Sequence, residues 1–213
     1  MLRIRITRGQ IVRALVILCG ATVFLWGHRI EAGPVRSVTI HDLFVQADQV
    51  VLVRVVAGDT EHYGTVVYKA VVETAYKGAK MNDTVYFGPY AGLGIGAEYV
   101  VFLESSPGLK PKVAGGLSFG AIQRMGRIMA AGYAALPVGF ECVFDEPSSD
   151  RKCDDSVELN PEQIILPKTL KTFPTHEETG ITSYKIWVRR SDFLPQLQKL
   201  SDTEKDKKLT VMG

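Results

Sequence analysis

Histidine and cysteine are scarce in this chain, and neither is placed for chemistry. The four histidines, His28, His41, His62 and His176, stand far apart, and no His-Glu-x-x-His helix occurs. A zinc centre is therefore not expected, because its ligands need close spacing on one element. The three cysteines contain no Cys-x-x-Cys pair, which removes the dithiol motif of redox enzymes. Gly92, Gly94 and Gly96 lead into strand-like residues, so no helix N-terminus follows to hold a phosphate. No cofactor is expected.

An apolar run long enough for a comfortable span of roughly 20 residues is also missing. Ala14 to Trp26 is apolar, is preceded by Arg3, Arg5, Arg8 and Arg13, and ends at Gly27-His28-Arg29. That is the layout of an export signal, with Ile30-Glu31-Ala32 as a cleavage site. Residues 1–32 read as a signal peptide or, if uncleaved, as an N-terminal membrane anchor. Either reading places the remainder outside the cytoplasm, in the periplasm, at the cell surface or secreted. The formal net charge of +2 belongs to this segment, which holds five basic residues and one acidic one. Without it the charge is about −2, and electrostatics offer no attraction for nucleic acid. Cys142 and Cys153 then remain as an even pair, expected to form a structural disulfide across an acidic loop.

What is present in quantity is strand character. Val50 to Val56 is almost continuously apolar and β-branched, broken by Arg54, as in a strand buried on both faces. From Thr65 to Lys77 the pattern alternates, with Val66, Tyr68, Ala70, Val72 and Tyr76 on one face and charge on the other. Thr84 to Phe87 and Glu98 to Glu104 follow, separated by turn residues. Antiparallel segments with short connections predict a five-stranded meander curling into a barrel. Pro111 to Phe119 is the expected closing strand.

The segments Ala47-Asp48-Gln49-Val50-Val51-Leu52-Val53, Tyr76-Lys77-Gly78, Asp83-Thr84-Val85 and Gly96 to Leu103 together resemble exported bacterial proteins with a domain related to tissue inhibitors of metalloproteinases. The resemblance runs from about Val38 to Phe119 and implies a netrin-like barrel of the oligonucleotide/oligosaccharide-binding (OB) type. In the animal inhibitors an N-terminal cysteine chelates the protease zinc. This chain has no cysteine near the expected mature start, so the inhibitory feature is missing.

The barrel domain is expected over 38–125, preceded by a short helix opened by a Thr39 cap with Asp42 in its first turn. Residues 126–200 read as a C-terminal elaboration. It has strand character at Val138 to Phe144, prolines at 161, 167 and 174, an edge strand at Tyr184 to Val188, and a last helix after Ser191. Ile122 to Ala135 fits either irregular structure or a frayed helix. Residues 201–213 read as a charged, disordered tail.

Gly116-Leu117-Ser118-Phe119-Gly120 matches the Gly-x-Ser-x-Gly elbow of hydrolases, with Asp145 or Asp155 and His176 as triad partners, but that motif belongs to a parallel sheet with crossover helices. Asp145, Glu146, Asp150, Asp154 and Asp155 form an acidic cluster interrupted by Arg151 and Lys152, which reads as solvated and not as a calcium site. Tyr63, Tyr86 and Tyr90 are the candidate binding surface, because OB-type barrels take ligands on exposed aromatics. No catalytic residues and no metal ligands are assigned. The expected function is a non-enzymatic, protein-binding module. The alternatives are a metalloprotease inhibitor and an exported serine hydrolase using Ser118.

Overall fold

A computed structural model describes residues 37–58, 67–88, 92–106, 125–144, 151–174 and 185–212, all within one unit, Arg36–Gly213. The elements are β1 (Val38–Thr39), α1 (Ile40–Gln46), β2 (Gln49–Gly58), β3 (Tyr68–Lys77), β4 (Thr84–Phe87), β5 (Glu98–Ser105), β6 (Gly126–Ile128), β7 (Ala135–Phe144), β8 (Arg151–Leu159), β9 (Ile164–Ile165), β10 (Thr172–Pro174), β11 (Ile186–Arg189) and α2 (Arg190–Met212).

The fold is mainly β, built on a closed five-stranded barrel. β2 pairs antiparallel with β3 and β5, and β3 pairs antiparallel with β4. β6 then bridges β4 in parallel, Phe87 opposite Gly126, and β5 antiparallel, Leu103 opposite Ile128. The ring of strands is β2-β3-β4-β6-β5, the OB order. The closing strand lies at 126–128. The segment expected to close the ring, 111–119, falls outside the described residues.

One edge of β5 is divided between two jobs. Leu103 to Ser105 pair with β6 and close the barrel, while Glu98 to Val101 pair with β7. The switch occurs in a short 3-10 turn, Ala130–Gly132, where Ala130 and Ala131 adopt φ of 50° and 52°. Left-handed backbone costs an L-residue about 1 kcal/mol or more. Tight bonding pays that cost, with Phe102 accepting from Met129 N–H and donating to Ala134 O at 3.1 and 3.0 Å. So residues 125–135, the described part of a stretch that by pattern fits either irregular structure or a frayed helix, contain a strand, a left-handed turn and the start of another strand.

From β7 the sheet continues off the barrel through β8, β11 and β10. The strand expected at the edge, β11, is interior, paired with β8 on one side and β10 on the other. β10 is the outer strand of the described sheet and carries Pro174, a residue that sheet edges tolerate.

Through Val50–Val53 and Val100–Leu103, β2 and β5 are buried on both faces, inside one continuous hydrophobic cluster. In register, Val51, Val53 and Val55 alternate with Val50 and Leu52, and Val101 with Val100 and Phe102. All are at most 2% exposed. The cluster joins them to Ala70, Val72, Val85 and Phe87 on the barrel strands and to Leu43, Phe44, Phe193 and Leu197 on the helices. Helix α1 has the expected cap: Thr39 Oγ1 accepts from Asp42 N–H at 3.0 Å and donates to the Asp42 carboxylate at 2.7 Å.

The segment after Ser201, expected as a disordered tail, is helical to Met212. Ser201 is 3% exposed, and its hydroxyl donates to Tyr76 O at 2.6 Å. Glu204 lies 3.2 Å from Lys77 Nζ, and that ammonium also donates to the last carbonyls of α1, Phe44 O and Val45 O, at 2.9 Å. These anchors hold a sequence whose composition alone favours disorder. Pro195 lies past the first turn, where it has no N–H to donate to the Ser191 carbonyl.

Candidate functional site

The candidate site is a polar cavity of about 380 Å³ at the barrel end where β2 and β4 begin and β5 finishes. It is lined in part by Asp48, Gln49, Thr84, Tyr86, Glu104 and Ser105. The helix-to-strand corner Ala47-Asp48 places the first two. Asp48 Oδ2 accepts from Ser105 N–H at 2.6 Å, and Asp48 N–H donates to Leu103 O at 2.8 Å. Gln49 Nε2 donates to Gly78 O at 3.4 Å. Beside it the Glu104 carboxylate accepts from Arg127 Nε.

Hydrogen bonds from Ser105 hold the Asp48 carboxyl below the usual aspartate range, with the Lys77 charge adding to the effect. A lowered folded value means that this contribution is present above the unfolded pKa and is lost as pH falls through the folded one. Asp48→Asn is therefore expected to lower stability at pH 7 by about 1 kcal/mol, solvent screening included. It should also flatten the loss of melting temperature between about pH 5 and pH 2. A pH series of thermal melts on both proteins checks this, and parallel profiles would refute it.

Of the tyrosines proposed as a binding surface, Tyr86 is half-buried, lies opposite Lys69 on the β3–β4 pair, and lines the cavity. Tyr63 and Tyr90 lie outside the described residues. Tyr68 and Tyr99 are buried, and their hydroxyls accept from Leu93 N–H at 3.1 Å and Gly94 N–H at 2.8 Å. The glycine loop thus spends two backbone donors on barrel tyrosines. Of the cavity residues, Asp48 and Gln49 lie in a segment that carries the resemblance, but neither they nor Ser105 carry a binding motif in the sequence. Their signal is position, at the ends of strongly apolar strands.

Elsewhere many charged groups pair with one another, while among the described residues Gln163 Oε1 and Trp187 Nε1 are buried without a hydrogen-bond partner. Arg54 donates to Glu73 at 2.7 Å, to Gly96 O at 3.1 Å and to Glu98. The other Glu98 oxygen is 2.9 Å from Arg190, which is 3.9 Å from Asp155. Asp154 lies 3.2 Å from Arg189. His41 is exposed, 3.5 Å from Asp42. Among the described residues no three His, Cys, Asp or Glu side chains are grouped for a metal. Ser118, Asp145 and His176 lie outside the described residues, as do residues 1–36. No described helix is long and apolar enough to cross a membrane.

The backbone places Cys142 directly opposite Cys153 in the β7–β8 pair. No protein-family model matches the chain, and no curated protein or solved structure is significantly similar to it.

Proposed function

We propose that the chain is an exported, non-enzymatic binding module of the cell envelope or extracellular space, with a protein as its partner. The observation that supports it best is Tyr86. This residue stands on the second strand of the β3–β4 pair, at the edge of the polar cavity. In barrels of this strand order the equivalent pair carries the ligand face. A half-buried tyrosine beside exposed backbone and carboxylates suits a protein partner, since tyrosines are enriched among the residues that dominate such interfaces. The charge of about −2 after residues 1–32 argues against a phosphate backbone. The resemblance to the metalloproteinase-inhibitor domain points the same way.

A photoreactive residue at Tyr86, in the full chain exported by its host, is expected to give one discrete protein adduct. The same probe at the exposed Lys168 should give none. Tyr86→Ala should then weaken binding to the purified adduct partner by tenfold or more. Absence of an adduct at Tyr86, equal labelling at both positions, or capture of an oligonucleotide would overturn the reading.

A further inference from the structure

β7 and β8 are longer than the sheet that supports them. Pairing of β7 with β5 ends at Val138 opposite Glu98, and pairing of β8 with β11 ends at Ser156 opposite Arg189. Beyond those points Phe140 to Phe144 and Arg151 to Asp155 form backbone ladder pairs, among the described residues, only with each other. Five cross-strand pairs thus form a two-stranded ribbon, and Phe140 on it is 68% exposed. A lone two-stranded ribbon is marginal in water. Ion pairs of Asp154 with Arg189 and of Asp155 with Arg190 tie down its base, and a cross-link further out would hold the rest.

The middle pair of the ribbon is Cys142 opposite Cys153. Residues directly opposed in an antiparallel ladder have Cα atoms about 4.5–5.5 Å apart and project to the same face, within the roughly 4.4–6.8 Å that a disulfide spans. We propose that Cys142 and Cys153 are joined by a disulfide that staples this ribbon, and that its reduction loosens the ribbon while leaving the barrel folded. Formation proceeds by exchange with a donor disulfide of the glutathione or dithiol-oxidase class. One cysteine thiolate attacks the donor, forming a mixed disulfide and releasing one donor thiol. The second cysteine thiolate then attacks the mixed disulfide at the cysteine sulfur and releases the other donor thiol. The two cysteines lose two electrons and two protons, and the donor is reduced to two thiols. Cys142 and Cys153 pair with each other beyond the end of the β5–β7 ladder, so the proposal rests on backbone register and does not depend on the binding function.

Trypsin cleaves after Arg151 and Lys152, between the two cysteines, giving the peptides 128–151 and 153–168. The full chain, equilibrated with oxidised glutathione and alkylated before digestion, is expected to yield these two as one linked species that separates on reduction. Their recovery as two alkylated peptides before reduction would overturn the bond. Hydrogen exchange tests the staple. Reduction should raise local opening of amides in 140–144 and 151–155 by about a hundredfold, with those of β2 and β5 unchanged. A Cys142→Ser, Cys153→Ser double variant under oxidising conditions should match the reduced protein. If reduction leaves ribbon exchange unchanged, or accelerates the β2 and β5 amides equally, the local-staple role is wrong.

Discussion

Phe102→Ala is expected to lower unfolding stability by about 3 to 5 kcal/mol, a fall in melting temperature of roughly 10 °C or more for a unit of this size. Phe102 is 0% exposed and among the largest fully buried side chains. It sits opposite Val50 on β5, and its backbone joins Met129 and Ala134 at the turn where the chain leaves the barrel. Loss of the ring leaves a cavity that cannot collapse without moving that junction. Phe102→Leu, which fills much of the volume, should recover more than half of the loss. Urea denaturation followed by tyrosine and tryptophan fluorescence measures both. An alanine variant within about 1 kcal/mol of the parent would contradict tight packing around Phe102.

Gly78→Ala has the second large expected effect, about 3 kcal/mol or more, for a different reason. Gly78 closes β3 with φ +71°, and a Cβ built there would fall 1.9 Å from Asp48 O and 3.2 Å from Gln49 Cγ. Both the left-handed backbone and the approach of another main chain demand glycine. Gly96→Ala separates the two causes. Its φ is +87°, yet a Cβ there meets nothing within 4 Å, so strain alone should cost about 1 kcal/mol. Because Gly78 packs against Asp48 and Gln49 at the cavity, its substitution should also weaken binding there. Equal melting temperatures for the two alanine variants would show that the contact with Asp48 relaxes freely.

The barrel was legible because its signal is local. The run from Val50 to Val55 needs both faces buried, the alternation at Tyr68, Ala70 and Val72 needs one, and turn residues separate the two. The closing strand escaped sequence reading for the converse reason. Gly126-Arg127-Ile128 is three residues long, and its pairing with β4 and β5 is decided by partners about 20 to 40 positions away. The candidate cavity was half legible. Tyr86 follows from the strand pattern, but Asp48, Gln49 and Ser105 acquire their roles only when two strand ends meet.

Apolar spacing and turn chemistry were sufficient, before any coordinates, to dictate a mainly β chain of antiparallel strands with a capped helix before it, because burial and backbone preference act on neighbours in the chain. Long-range pairing decided the rest. It turned the charged segment after Ser201 into helix by giving Ser201 and Glu204 partners on β3. It gave Arg54, the one charge in a greasy strand, the carboxylates of Glu73 and Glu98 to neutralise it. Such partners lie 19 to 127 residues away, and a single sequence carries no mark of which distant groups will meet.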